Sequence, residues 1–149
     1  MEERTIQASR MAIDAALARF AKWGAKDLVK VKNHGPVESE VRGYFGFMQS
    51  LAGLTPEGIS RMFGLRVTDL EQGAMIYRLD RLPLENEFAV RGYSTLPDGK
   101  RLPGSQTTDA AGYRVGTGGL QYDLTKPIPA TYLGFLRPNQ PFDIRTLKP

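Results

Sequence analysis

The sequence predicts an α+β domain, with a helical N-terminal half packed on a small, mostly antiparallel β-sheet in the C-terminal half. Three observations lead there. Apolar residues recur at three- and four-residue spacing through residues 1–73. From Ala74 onward the apolar residues come instead in short β-type runs. Eight of the ten prolines and eight of the sixteen glycines fall in residues 83–149, the punctuation expected between strands. At 149 residues the chain makes a single domain with room for one core.

The first helix is carried by Ile6, Ile13, Ala16, Leu17, Phe20 and Trp23, with Arg10, Asp14, Arg19 and Lys22 mostly on other faces. Gly24 stands where a C′ residue would stop it. Residues 25–31 continue as a short helical or extended piece into a loop at Asn33-His34-Gly35-Pro36. A second helix is expected over residues 38–51, with Val37, Val41, Tyr44, Phe45, Met48 and Leu51 on one stripe. Gly43 and Gly46 weaken it by about 1 kcal/mol each relative to Ala. A third starts at Thr55 as N-cap and Pro56 at the first helical position, ending at Gly64. Residues 75–79, 87–91, 120–124 and 132–136 then read as strands, with a turn at Pro97-Asp98-Gly99-Lys100. Residues 137–149 are proline-spaced and wrap the surface.

Composition excludes much chemistry. Without cysteine there is no disulfide, thiolate metal site or thiol nucleophile, and one histidine rules out a multi-His metal site. The expectation is no metal. No apolar run approaches the length of a membrane span. The opening Met1-Glu2-Glu3 has no basic flank followed by an apolar stretch, so no signal peptide and a cytoplasmic location are expected. Net charge is +4, distributed as +1 over residues 1–75 and +3 over residues 76–149. That excess permits contact with phosphates without forming a polybasic patch.

Three local patterns bear on function. Residues 56–72 carry the apolar–small–apolar–Gly spacing of a helix-turn-helix, with Arg66, Thr68 and Gln72 as the residues that would reach base edges. A helix followed by a glycine stop explains the same spacing. His34 stands on a loop that suits a general base, although nothing nearby resembles a nucleophile. Gly112-Tyr113-Arg114-Val115-Gly116-Thr117-Gly118-Gly119 offers backbone amides to a phosphate, with Arg114 beside them. No Gly-Lys-Ser/Thr follows it, which excludes a P-loop.

The segments flanking that glycine-rich piece have a recognisable order. Tyr77-Arg78-Leu79-Asp80 comes first, then Ser94-Thr95, then Gly118-Gly119-Leu120-Gln121-Tyr122-Asp123, and finally Ile128-Pro129 leading into a closing strand. Over residues 75–136 this resembles the ADP-ribosyltransferase-like bacterial toxins and their NAD glycohydrolase relatives. The resemblance implies that Arg78 grips NAD and that Gln121 stands at the position of the catalytic glutamate. Gln121 keeps the hydrogen bond to the ribose and drops the charge, which points to NAD hydrolysis over transfer to protein. It also implies a toxin or effector role with an immunity or delivery protein as partner.

The chemistry is consistent with the residues available. Cleaving NAD as a substrate needs a clamp on the diphosphate, an aromatic wall and groups that favour positive charge at the anomeric carbon. Arg78 and Arg114 suit the clamp; Tyr77, Tyr113 and Tyr122 suit the wall; Ser94 is a further binding candidate. Asp123, two residues beyond Gln121 and so on the same strand face, supplies the negative charge. Two alternatives use other residues. A small basic ribonuclease would rely on Lys100, Arg101 and Tyr113, and a binding module would need no catalytic group at all.

Overall fold

The computed structural model describes residues 2–63, 65–66, 68–92 and 120–148; for residues 2–9, 12, 91, 92, 120 and 121 it describes the backbone. The elements run α1 (Glu2–Trp23), a 3-10 turn (Ala25–Asp27), β1 (Leu28–Asn33), β2 (Glu40–Phe47), α2 (Met48–Leu51), α3 (Pro56–Phe63), β3 (Ala74–Leu79), β4 (Phe88–Gly92) and β5 (Leu120–Leu136).

This architecture corrects the expected division into a helical half and a sheet half. Four antiparallel strands close into a barrel in the ring order β1–β2–β5–β3, and β4 adds a fifth strand along β5. Two of the barrel strands, β1 and β2, come from the half expected to be helical. The apolar stripe over residues 37–51 misled because Val41 and Phe45, four apart, share a face in a strand as well as in a helix. Gly43 decides the matter. Its φ of +84° breaks a helix, and it marks the register shift where β2 runs along β5. The helix shrinks to the four residues of α2.

Other elements follow their local signals. Gly24, at φ +83°, ends α1 as its amide donates to the Phe20 carbonyl at 2.8 Å. Thr55 Oγ1 accepts from the Gly58 amide at 3.4 Å, the N-cap bond of α3. The helix-turn-helix is a further correction: residues 68–72 form turns instead of a second helix. There the Asp69 carboxylate accepts from the Arg66 amide at 2.9 Å.

β5 holds the ring together. Its first residues pair with β4 from Gly92↔Leu120 to Phe88↔Leu124. They also pair with β2, from Phe45↔Tyr122 to Gly43↔Leu124, and on to Glu40↔Pro129. Its last residues pair with β3 from Leu79↔Ala130 to Ala74↔Leu136. Pro127 falls in the register shift between Leu124 and Ile128, after the β4 pairing ends and before the β3 pairing begins, the kind of irregular position at which a strand accepts proline.

Two apolar layers result. Leu28, Val41, Phe45, Tyr77, Leu79, Leu124 and Ile128 fill the barrel interior, and α1 covers it with Ala16 and Phe20. The Phe20 ring lies 5.2 Å from those of Phe88 and Tyr122 and 5.5 Å from that of Phe45. Outside the barrel, Val29, Val31, Ala74 and Ile76 pack under Leu51, Ile59, Phe63, Leu70 and Phe142. β3 is therefore covered on both faces, which is why its sequence reads as a nearly continuous apolar run. β1 keeps Val29 and Val31 on the outer layer and turns Leu28 and Lys30 inward.

Candidate functional site

One row of residues crosses all five strands. Register places Tyr77 beside Lys30, Lys30 beside Phe45, Phe45 beside Tyr122 and Tyr122 beside Val90. Three of its members are large aromatics buried in the core. Lys30 is the single charged residue in it, on the same strand face as the buried Leu28.

Lys30 is accommodated by a glycine and an opening. β1 and β2 pair only from Leu28↔Phe47 to Lys30↔Phe45, and beyond that they part. At the parting lies a cleft of about 270 Å³, lined by Lys30, Lys32, Asn33, Arg42, Asp69 and apolar neighbours including Leu65. The Lys30 ammonium packs against Gly43: a Cβ built there would stand 3.0 Å from Nζ. A side chain at residue 43 would meet both a left-handed backbone and the lysine.

The electrostatics of the cleft are unbalanced. Lys32 is paired with Glu38 at 2.6 Å, and Arg42 Nη2 donates to the Thr125 carbonyl at 2.9 Å. Among the described residues Lys30 has no hydrogen bond or ion pair. Burial pushes its pKa down to about 8, with Lys32 adding repulsion and the Asp123 carboxylate opposing both. A cation in this setting gains from an anion entering the cleft. Among the described residues no group of three or more metal-ligating side chains is present, and no helix is long and apolar enough to cross a membrane.

Other hollows offer less charge. One, of about 540 Å³, is an open groove between α2 and the C-terminal tail, where Asp143 and Arg145 pair with each other at 2.9 Å. A third, lined by Asn33, His34, Asp69, Glu71 and Gln72, is small and acidic. His34 packs edge-on against Phe135, with ring centroids 5.3 Å apart.

No family model, characterised protein or solved structure matches the chain. Function therefore has to be read from the site itself.

The residues singled out in the sequence are distributed as follows. Tyr77 is fully buried, its hydroxyl accepting from the Glu38 amide at 3.1 Å, so its ring is a core element with no face open to a substrate. Tyr122 is also in the core, 7% exposed, with its hydroxyl accepting from Arg19 Nη1 at 3.3 Å. Arg78 is half-buried on β3 between Val29 and Thr131. Asp123 is half-buried on β5 between Tyr44 and Ala89, and the Gln121 backbone lies opposite Arg91.

Arg78 pairs with β5 at Thr131, eight residues beyond Asp123. Around the ring, through Val29 and Gly46, it lies three strands from the start of β5, where Gln121 and Asp123 sit, so the structure pairs it with neither. Ser94, Lys100, Arg101, Tyr113 and Arg114 lie outside the described residues. Sequence reasoning missed Lys30, Lys32 and Arg42. The signal was present in Leu28-Val29-Lys30-Val31, where alternation puts a lysine on the strand face that Leu28 turns to the core.

Proposed function

We propose that the protein is a small-molecule-binding barrel whose ligand carries a phosphate or diphosphate, seated in the cleft between β1 and β2. The carrying observation is Lys30: a crowded ammonium that makes no hydrogen bond or ion pair among the described residues, with the Asp123 carboxylate alone favouring its charge, set beside Lys32 and Arg42. A phosphate there would accept hydrogen bonds from Lys30 and draw Lys32 and Arg42 onto its remaining oxygens. Binding an anion raises the Lys30 pKa, so the complex takes up protons near pH 8 and affinity falls as pH rises through that value.

Calorimetric titration with pyrophosphate and with ADP tests this reading. Saturable binding that weakens with salt and is lost in Lys30→Met supports it. Titrations with no saturable heat, or with affinity unchanged in Lys30→Met, remove it.

A second reading is that the chain consumes NAD, as a glycohydrolase more than an ADP-ribosyltransferase, in a toxin-like setting with an immunity or delivery partner. The observation favouring it is the shared strand face of Gln121 and Asp123, directly after the glycine-rich residues 112–119, with Asp123 acting electrostatically on Lys30. Nicotinamide release from NAD, lost in Gln121→Ala and Asp123→Asn, is the expected result. No release over hours at micromolar protein rejects it and leaves diphosphate binding standing on its own titration.

A further inference from the structure

We propose a second ligand site, independent of the cationic cleft: the cavity where α1, β2, α2 and α3 meet binds a small, flat aromatic carboxylate. Its volume is about 370 Å³, within the range of roughly 300–1,000 Å³ typical of small-molecule sites. Phe45, Phe47, Phe63 and Tyr122 line it, with Met62 and Arg19 among the remaining lining residues. An aromatic ring is the guest that such rings accept with least loss, through offset or edge-on contacts.

Three details turn this hollow into a site with a defined occupant. The first concerns charge. Arg10, Arg61, Arg81 and Arg145 each pair with a carboxylate. Among the described residues Arg19, like Arg42, Arg66, Arg78 and Arg137, has none, and of these it alone lines the cavity, with the neutral Tyr122 hydroxyl as its partner. The guanidinium thus sits beside an aromatic-lined space with donors left for an anion, and a planar fork suits a carboxylate. The second is Gly46. A Cβ there would lie 3.0 and 3.1 Å from atoms of the Phe63 ring, so the absence of a side chain lets that ring stand as a wall. The third is Met62, which is 39% exposed although apolar and supplies a flexible, polarisable contact for a ring.

The ligand class follows from shape and charge together. An apolar ring system satisfies the four aromatic walls, and one carboxylate satisfies Arg19. A phosphate ester fits the cleft of Lys30 better, because the cavity has one guanidinium and no second cation in its lining.

Naphthoate and its uncharged analogue naphthamide separate the two contributions. In calorimetric titration of the full chain, naphthoate should saturate in the micromolar range and bind about tenfold tighter than naphthamide. Arg19→Met should erase that preference and leave naphthamide unaffected. Met62→Trp, at a partly exposed position, should weaken both by filling the space, with circular dichroism confirming that each variant stays folded. Absence of saturation below millimolar ligand overturns the proposal. So does naphthoate binding unchanged in both variants, or an equal weakening of acid and amide by Arg19→Met. Pyrophosphate binding is read separately, so failure here leaves the cleft reading untouched, and the reverse also holds.

Discussion

The interior row of the barrel has two contrasting regions. Around Tyr122 and Phe45 it is aromatic and covered by Phe20 of α1, with its one cation, Arg19, held at the edge on the Tyr122 hydroxyl. One strand over, at Lys30, the same row carries a cation beside an opening. Backbone pairing runs along the whole row, so what distinguishes the two regions is their side chains and the parting of β1 from β2 just beyond Lys30↔Phe45. The first region is built for stability, and the second gives up stability to hold a charge where a ligand can reach it.

The sharpest way to break this contrast is at Phe20. Phe20→Ala removes the ring that touches Phe45, Phe47, Phe88 and Tyr122, and should cost about 4 kcal/mol in urea unfolding. Pyrophosphate affinity, measured where the variant is still folded, should stay within a factor of two or so of wild type, since the cleft does not use that ring.

Lys30→Met should do the reverse. Folding lowers the Lys30 pKa from 10.5 to about 8, so across that window the unfolded chain binds more protons than the folded one. Wild-type stability therefore rises with pH from about 8 to 10.5, and the penalty is fully present below 8. At pH 7 the variant should be more stable by about 3 kcal/mol, with the gain vanishing toward pH 10.5. Melting both proteins at pH 7 and pH 10 checks the sign. A stabilised variant that also loses pyrophosphate binding sharpens the contrast, whereas a destabilised one breaks it.

Gly43→Ala probes the same region more gently. A φ of +84° is unfavourable for alanine, and the new methyl presses on the Lys30 ammonium. The expected loss is about 1–2 kcal/mol, accompanied by weaker pyrophosphate binding. The smallest effect is expected at Ser60, whose buried hydroxyl has no hydrogen-bond partner among the described residues. Ser60→Ala should change stability by less than about 1 kcal/mol, on the stabilising side. A clear loss there would mean that the hydroxyl is satisfied in solution.

The legible part of the fold was the part with local punctuation. Gly24 ends α1, Thr55 and Pro56 start α3, and β3 and β4 stand out as short β-type runs. β1 and β2 were obscured for different reasons. β1 alternates Val29 and Val31 with Lys30 and Lys32 over only four residues, too short a run to separate it from a helical continuation of α1. β2 places Val41 and Phe45 at a spacing that serves helix and strand alike. The two strand runs at residues 120–124 and 132–136 are one strand, joined through two prolines that local reasoning treats as breaks. The cleft was illegible because it arises from non-local pairing: Lys30, Arg42 and Asp69 meet only once β1 and β2 have been brought together and then diverge.

The long final strand also dictates when this molecule can become itself. Because β5 is the shared partner of β2, β3 and β4, a ribosome that has released only the first three strands holds a sheet with open edges and an uncovered apolar interior. Closure waits for residues 120–136, which follow all the other strands in the chain. Until then the nascent chain presents pairing surfaces to any other strand nearby, a vulnerability that a fold built from sequential hairpins would largely escape.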